Sequence, residues 1–348
     1  MPTRFQVAPA PHLTPPNSVS LVMRRVIYAL IPGILCYVWY FGFGIVINML
    51  IAAATALACE ALMLKLRQRD LNVFLTDYSA VVTAILLAFA LPPLTPWWIT
   101  VIGAAFAIIF AKHLYGGLGY NPFNPAMAGY VVLLISFPQE MTVWLKPDML
   151  VNEADRITFL QSLATIFTGS FPATVNVDAV TAATPLDVVK TQLGTNRMVL
   201  EIRQDPIFGD FGGKGWEWIS NWLFLGGAWL IYKGVIRWHI PVAVLGSVGI
   251  IAFVFYMLDP SSHASPGFHI FGGATMLCAF FIATDPVSAA TTNMGRLVYG
   301  AGIGIFIYVI RTWGAHPDAV AFSVLLMNMA VPLIEHFTRP RTYGHGEP

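Results

Sequence analysis

Two carboxylates and two hydroxyls fall within ten residues at Asp178-Ala179-Val180-Thr181-Ala182-Ala183-Thr184-Pro185-Leu186-Asp187. By residue type this is a small-residue stretch running into a helix start. Proline suits the first helical position, which makes Thr184 the N-cap and Asp187 the N3 residue whose carboxylate bonds back to the cap. Capping alone accounts for the pattern, so chemistry at either hydroxyl needs more than composition to support it. A second group is Lys112-His113-Leu114-Tyr115-Gly116-Gly117-Leu118-Gly119-Tyr120-Asn121-Pro122-Phe123-Asn124-Pro125-Ala126. Its glycines permit close backbone approach, and its two Asn-Pro pairs break helices inside an apolar region. The freed backbone groups and the Asn121 and Asn124 amides need partners there. A planar polar ligand, an ion or neighbouring helices supply them equally well. A third candidate is Asp285 in Ala283-Thr284-Asp285-Pro286-Val287-Ser288, an acid at the end of a short apolar stretch. Acids beside a membrane are functional candidates, and the competing reading is a helix-end aspartate in the interface. Glu60 lies inside an apolar run and must face the bundle or a partner, whereas Asp77 reads as a charge at a helix start.

Other chemistries are not indicated. Cys36, Cys59 and Cys278 sit far apart in apolar runs without CxxC or Cys/His spacing, as buried thiols do. There is no GxxxxGK, no dinucleotide glycine fingerprint and no hydrolytic triad. A net charge of +1 gives no general basic character for nucleic acid.

The elements that must position these groups are membrane helices. The chain is 57% hydrophobic and only 11% charged, where a soluble domain is about 25% charged. A span needs about 20 apolar residues. Five candidate segments, some of them short, run near Val26–Tyr40, Ile45–Leu66, Ser79–Leu91, Trp97–Ala111 and Phe123–Phe137. Five more run near Trp218–Tyr232, Ile240–Leu258, Phe271–Ala283, Leu297–Ile310 and Ala319–Phe337. The third, fifth and eighth are short and flanked by Pro or Gly, as helices that break to line a site are. With the N-terminus cytoplasmic, the cytoplasmic segments hold twelve Lys and Arg, and the short outer loops hold only Arg311. The positive-inside rule then puts both termini inside and the 138–215 segment outside. Thr83 aligns with Thr275 and Pro125 with Pro317 at one offset, 192 residues, so each half is a five-helix repeat. An odd helix number inverts the second copy. The expected organisation is a tail (1–25), a first membrane repeat (26–137), an extracytoplasmic segment (138–215), a second membrane repeat (216–337) and a C-terminal tail (338–348). The expected fold is all-α.

Several long blocks carry a family resemblance: DYSAVVTAILLAFALPPLTPWW, AKHLYGGLGYNPFNPAM, TAATPLD, GWEWISN, RWHIPVA, ATMLCAFFIATDPVSAATT and PRTYGH. They resemble the D-type membrane subunit of the Rnf electron transport complex and, more distantly, the B-type subunit of the sodium-translocating NADH:quinone reductase. The resemblance implies flavin mononucleotide (FMN) joined by a phosphoester to Thr184 by a flavin transferase outside the cytoplasmic membrane. Asp178, Thr181, Pro185 and Asp187 belong to the attachment motif. Ala179 and Ala182 stand where glycine is frequent. The family also implies a second, non-covalent flavin, riboflavin, for which Asn121 and Asn124 are the candidate contacts, and Asp285 is the candidate for the ion pathway. The expected protein is a multi-pass flavoprotein subunit of a bacterial inner membrane complex. It would relay electrons between ferredoxin and NAD beside membrane flavoprotein and iron–sulfur subunits, coupled to Na⁺ or H⁺ transport. The rival class is a non-redox channel or secondary transporter of urea-channel-like architecture, which has no need of a flavinylated outer segment.

Overall fold

The computed structural model describes residues 18–173 and 175–339. Most of the 1–25 stretch and residues 340–348 of the C-terminal tail, with Arg4 and Arg341, lie outside the described residues. The first helix begins inside the stretch expected to be a tail. Ser18 Oγ accepts the Leu21 N–H, and α1 runs Val19–Phe41. Then come α2 (Gly44–Leu66), the short α3 (Leu71–Leu75), α4 (Ser79–Ala90) and α5 (Trp97–Phe106). α5 continues as a π-helical segment, Ala107–His113, closed by Leu114 N–H bonding to the Ile109 carbonyl five residues back. α6 (Pro125–Ser136) completes the first half. At 1.5 Å per residue the twelve-residue α4 and α6 each span about 18 Å, short of the roughly 30 Å hydrocarbon layer. Both therefore end within the bundle.

The 138–215 segment is more than a bare loop. It holds β1 (Trp144–Leu145), α7 (Phe159–Thr168), α8 (Val177–Val180), β2 (Thr181–Ala182), α9 (Pro185–Gly194) and α10 (Val199–Ile202). β1 and β2 pair antiparallel, Leu145 opposite Thr181. Leu186, Val189, Ile202 and Phe208 bury against Ala264 and Phe268 of the second half, which docks this segment on the bundle. The second half contains α11 (Trp216–Tyr232), α12 (His239–Leu258), α13 (Pro266–Phe271), α14 (Thr275–Leu277) with a π-helical continuation Cys278–Ile282, α15 (Asn293–Trp313) and α16 (Val320–Thr338).

Neighbour relations repeat between the halves. α2 packs on α4 and α5 while α12 packs on α13 and α15; α5 packs on α6 as α15 does on α16. The halves meet where α1 crosses α11. Gly226 makes that crossing close, since a Cβ there would fall 2.0 Å from the Ala29 carbonyl oxygen. Among the described residues five helices (α1, α2, α12, α15, α16) are long and apolar enough to cross a membrane. Trp39, Tyr232, Leu258 and Phe337 stay more than 70% exposed on the outside of the bundle, as a lipid-solvated surface allows. The protein is an all-α, multi-pass membrane protein. We call the face where α1 begins the near face, and the face carrying 138–215 the far face.

Candidate functional site

At the far face Thr184 is the N-cap of α9, as its sequence context predicts. Its Oγ1 accepts the Asp187 N–H at 3.2 Å, and its own N–H donates to Asp187 Oδ2 at 3.3 Å. A further contact joins the two side chains: the Thr184 hydroxyl donates to Asp187 Oδ2 at 2.5 Å. Thr184, Pro185 and Asp187 line a cavity that enters the bundle beside Tyr37, Tyr130, Trp144, Trp216 and Asp318. It encloses about 1050 Å³ of atom-free space, part of it open to solvent. The other two motif residues stand off the cavity. Asp178 is exposed on α8, where its carbonyl accepts Lys146 Nζ. Thr181 lies in β2 and donates to the Val177 carbonyl.

Long-range contacts aim the acceptor segment. Glu217 Oε2 accepts the N–H groups of Phe211 and Gly212 at 3.1 and 3.2 Å, fixing the turn that ends at Gly213. A Cβ on Gly213 would sit 2.2 Å from Pro185 Cγ, so only glycine lets the turn abut the start of α9. Midway along α9, Lys190 Nζ donates to the carbonyls of Arg311 and Gly314. Burial pushes the Lys190 pKa below its ordinary value, with Asp187 opposing. Arg311 in turn donates to the His269 and Gly272 carbonyls at 2.7 and 3.2 Å, satisfying the end of α13, and pairs with Asp318 at 3.6 Å. Sequence reasoning missed Lys190, Glu217 and Asp318. The sequence reading places Arg311 in a short outer loop, whereas it lies buried in the last turn of α15.

The near face carries a second cavity, about 1570 Å³ of atom-free space with solvent-open parts, reached by Ser79, Lys112, Asn121, Asn124 and Asp285. The two asparagines differ. Asn124 caps α6 by accepting the Met127 N–H and donates to the Ile282 carbonyl, while its own N–H donates to Asn328. Its amide is largely spent on holding the two halves together. Asn121 donates to the Phe123 carbonyl, and its buried Oδ1 has no hydrogen-bond partner among the described residues. Asp285 accepts the Ser288 hydroxyl at 2.7 Å. Glu60 faces the bundle: its two oxygens receive Lys112 Nζ at 2.9 and 2.8 Å, and His113 Nε2 lies 3.1 Å away. Lys112 also donates to Ser79 Oγ, which bonds Asp77. Among the described residues no cluster has metal-ligating character.

The two cavities follow the internal repeat. Asn124-Pro125 lines the near one and His316-Pro317, at the matching offset, the far one. On α4, Leu86 lines the near cavity and Phe89 the far one; three residues put them about 4.5 Å apart along the helix. Fold and site thus define a class: a membrane protein of two inverted halves, with opposed cavities separated by about one helical turn of α4 and a capped threonine lining one of them. The chain belongs to the NQR2, RnfD, RnfE family, which it matches over residues 6–344. It is 52% identical to the D-type subunit of the ion-translocating oxidoreductase complex of Aliivibrio salmonicida, over 98% of this chain and 99% of that protein. The corresponding subunit of Alcanivorax borkumensis is also 52% identical (97% and 96% covered), and that of Vibrio cholerae is 50% identical (98% and 99%).

Proposed function

We propose that this protein is the membrane flavoprotein subunit of a redox-driven ion-translocating complex, carrying FMN as a phosphoester on Thr184. The observation that carries the reading is the placement of the Thr184 hydroxyl at the wall of an aromatic cavity running into the bundle. The residues present fit a flavin. Trp144, Trp216 and Tyr130 offer ring faces, and the buried Tyr37 hydroxyl lines the same cavity without a hydrogen-bond partner among the described residues. When bound, the flavin supplies one- and two-electron carriage. The protein's part is to tether it at Thr184, exclude water with the aromatic wall and offer Tyr37 as a polar contact.

The near cavity suits a second, non-covalent flavin such as riboflavin, with the orphaned Asn121 Oδ1 as acceptor for a ring N–H. Asn124 serves it chiefly by fixing the helix break. In the same reading Asp285, facing that cavity, belongs to the path of a translocated Na⁺ or H⁺. The relatives' shared name supports an oxidoreductase complex; the ferredoxin and NAD branches, the neighbouring flavoprotein and iron–sulfur subunits and the maturing flavin transferase belong to this proposal. So does the bacterial inner membrane with both termini cytoplasmic, which the Lys and Arg distribution supports. The test is in-gel fluorescence of denatured protein matured with its transferase, beside Thr184→Val. Fluorescence in the native chain that vanishes in the variant is expected; a dark native band refutes covalent attachment. One observation favours the channel reading: two opposed cavities separated by about one helical turn resemble a closed pore. A colourless chain that conducts solute after reconstitution would establish it instead.

A further inference from the structure

Resting on the reading of Thr184 as flavin acceptor, we propose that Asp187 is the general base of flavin attachment, taking the Thr184 hydroxyl proton as that oxygen is esterified. A reciprocal cap needs only two bonds: the N3 N–H to the cap oxygen and the cap N–H to the N3 side chain. Both are present here. The 2.5 Å contact between Thr184 Oγ1 and Asp187 Oδ2 is additional. Because Oγ1 already accepts the Asp187 N–H, its proton points to the carboxylate. A threonine hydroxyl is a weak nucleophile that needs an adjacent base, and a base must lie within hydrogen-bond reach of the proton it takes. Asp187 meets that geometry at the one motif hydroxyl that lines the cavity.

The chain contains its own comparison. Thr158 and Gln161 form the same capping box at the start of α7, with Thr158 Oγ1 3.0 Å from Gln161 Oε1. There the N3 group is a neutral amide, which caps but takes no proton at ordinary pH. The box with the carboxylate stands at the cavity; the box with the amide is exposed elsewhere.

The step balances as a phosphoryl substitution without redox change. Thr184 Oγ1 forms a bond to the phosphorus that bears riboflavin, and the bond from that phosphorus to its leaving group breaks. The mononucleotide carries no good leaving group there. The flavin dinucleotide carries adenosine monophosphate (AMP), which departs with the electron pair. Asp187 Oδ2 receives the hydroxyl proton and later releases it to water. Around the carboxylate stand Lys190 one turn along α9, and His316 and Asp318 on the same cavity wall.

The experiment incubates full-length protein with flavin transferase and flavin adenine dinucleotide, and follows covalent flavin by in-gel fluorescence over time. Thermal unfolding of each variant is measured in parallel. Asp187→Asn keeps an oxygen to accept the Thr184 N–H, so its unfolding temperature stays near native, while its attachment rate falls by about 100-fold or more. Asp187→Glu, which keeps a carboxylate, recovers part of the rate. Asp187→Asn labelled at the native rate, or Asp187→Glu no faster than Asp187→Asn, overturns the base. A native chain that stays dark while the same transferase labels a control substrate overturns the parent reading, and the base with it.

Discussion

Replacing Glu60 by Gln strips the counter-charge from Lys112, an ammonium only 2% exposed within the bundle. At 2.8 Å and an effective dielectric of about 20, the lost attraction is about 6 kcal/mol gross. Gln keeps one acceptor oxygen and Ser79 Oγ remains at 2.9 Å, so part of the loss is offset. Breaking a buried pair from one side costs about 3–5 kcal/mol in total, because the survivor is left charged and dry. The converse, Lys112→Met, strands the Glu60 carboxylate beside His113 and costs a similar amount. The double replacement Glu60→Met with Lys112→Met removes both charges and is expected to be milder than either single change. The assay is thermal unfolding in detergent, read as loss of the monodisperse species, in a double-mutant cycle. Single costs below about 1 kcal/mol, or costs that add in the double variant, would refute the assignment of this pair as a mutually dependent buried unit.

Gly213→Ala drives a methyl into Pro185 Cγ; overpacking of this kind costs about 1–3 kcal/mol, and slower flavin labelling at Thr184 is expected from the shifted start of α9. Arg311→Met removes the guanidinium donors from the His269 and Gly272 carbonyls and leaves them only the Thr275 hydroxyl; it is expected to lower the unfolding temperature, while Arg311→Lys recovers part of it, and equal losses in both would contradict the carbonyl-bonding role. Burial holds the folded-state Lys190 pKa below its unfolded value, so the unfolded chain binds more protons between the two values and stability rises as pH climbs through the window just under 10.5. Lys190→Met should lack that alkaline gain, and an unchanged pH–stability curve would count against it.

Local patterns carried far in this chain. The Thr184-Pro185-Leu186-Asp187 helix start was legible because a capping box is written within four residues. The broken segments Phe123–Phe137 and Phe271–Ala283 were legible because Pro or Gly flanks them directly. Glu60 was readable as turned from lipid, toward the bundle or a partner, but its partner Lys112 lies 52 positions on. Pairing across that separation depends on how α2 and α5 pack, which periodicity does not encode. The same limit hid Lys190 and Glu217, whose partners are backbone groups of other segments. It also hid the difference between Asn121, with an unspent acceptor, and Asn124, committed to its helix cap. α1 starts at Val19 rather than Val26 because Ser18 caps it, its Oγ accepting the Leu21 N–H.

The π-helical segments that end α5 and α14 shift the angular phase of their helices. Each closes with an N–H bonded five residues back, Leu114 to Ile109 and Ala283 to Cys278, where an ordinary turn reaches four. Such a segment holds one residue more than a regular helix of the same hydrogen-bonding frame. At 3.6 residues per turn that surplus swings everything after it by about 100° around the axis. Lys112 lies within the first of these segments, and excising one residue from 107–113 is expected to rotate it off Glu60 as surely as a point substitution removes it.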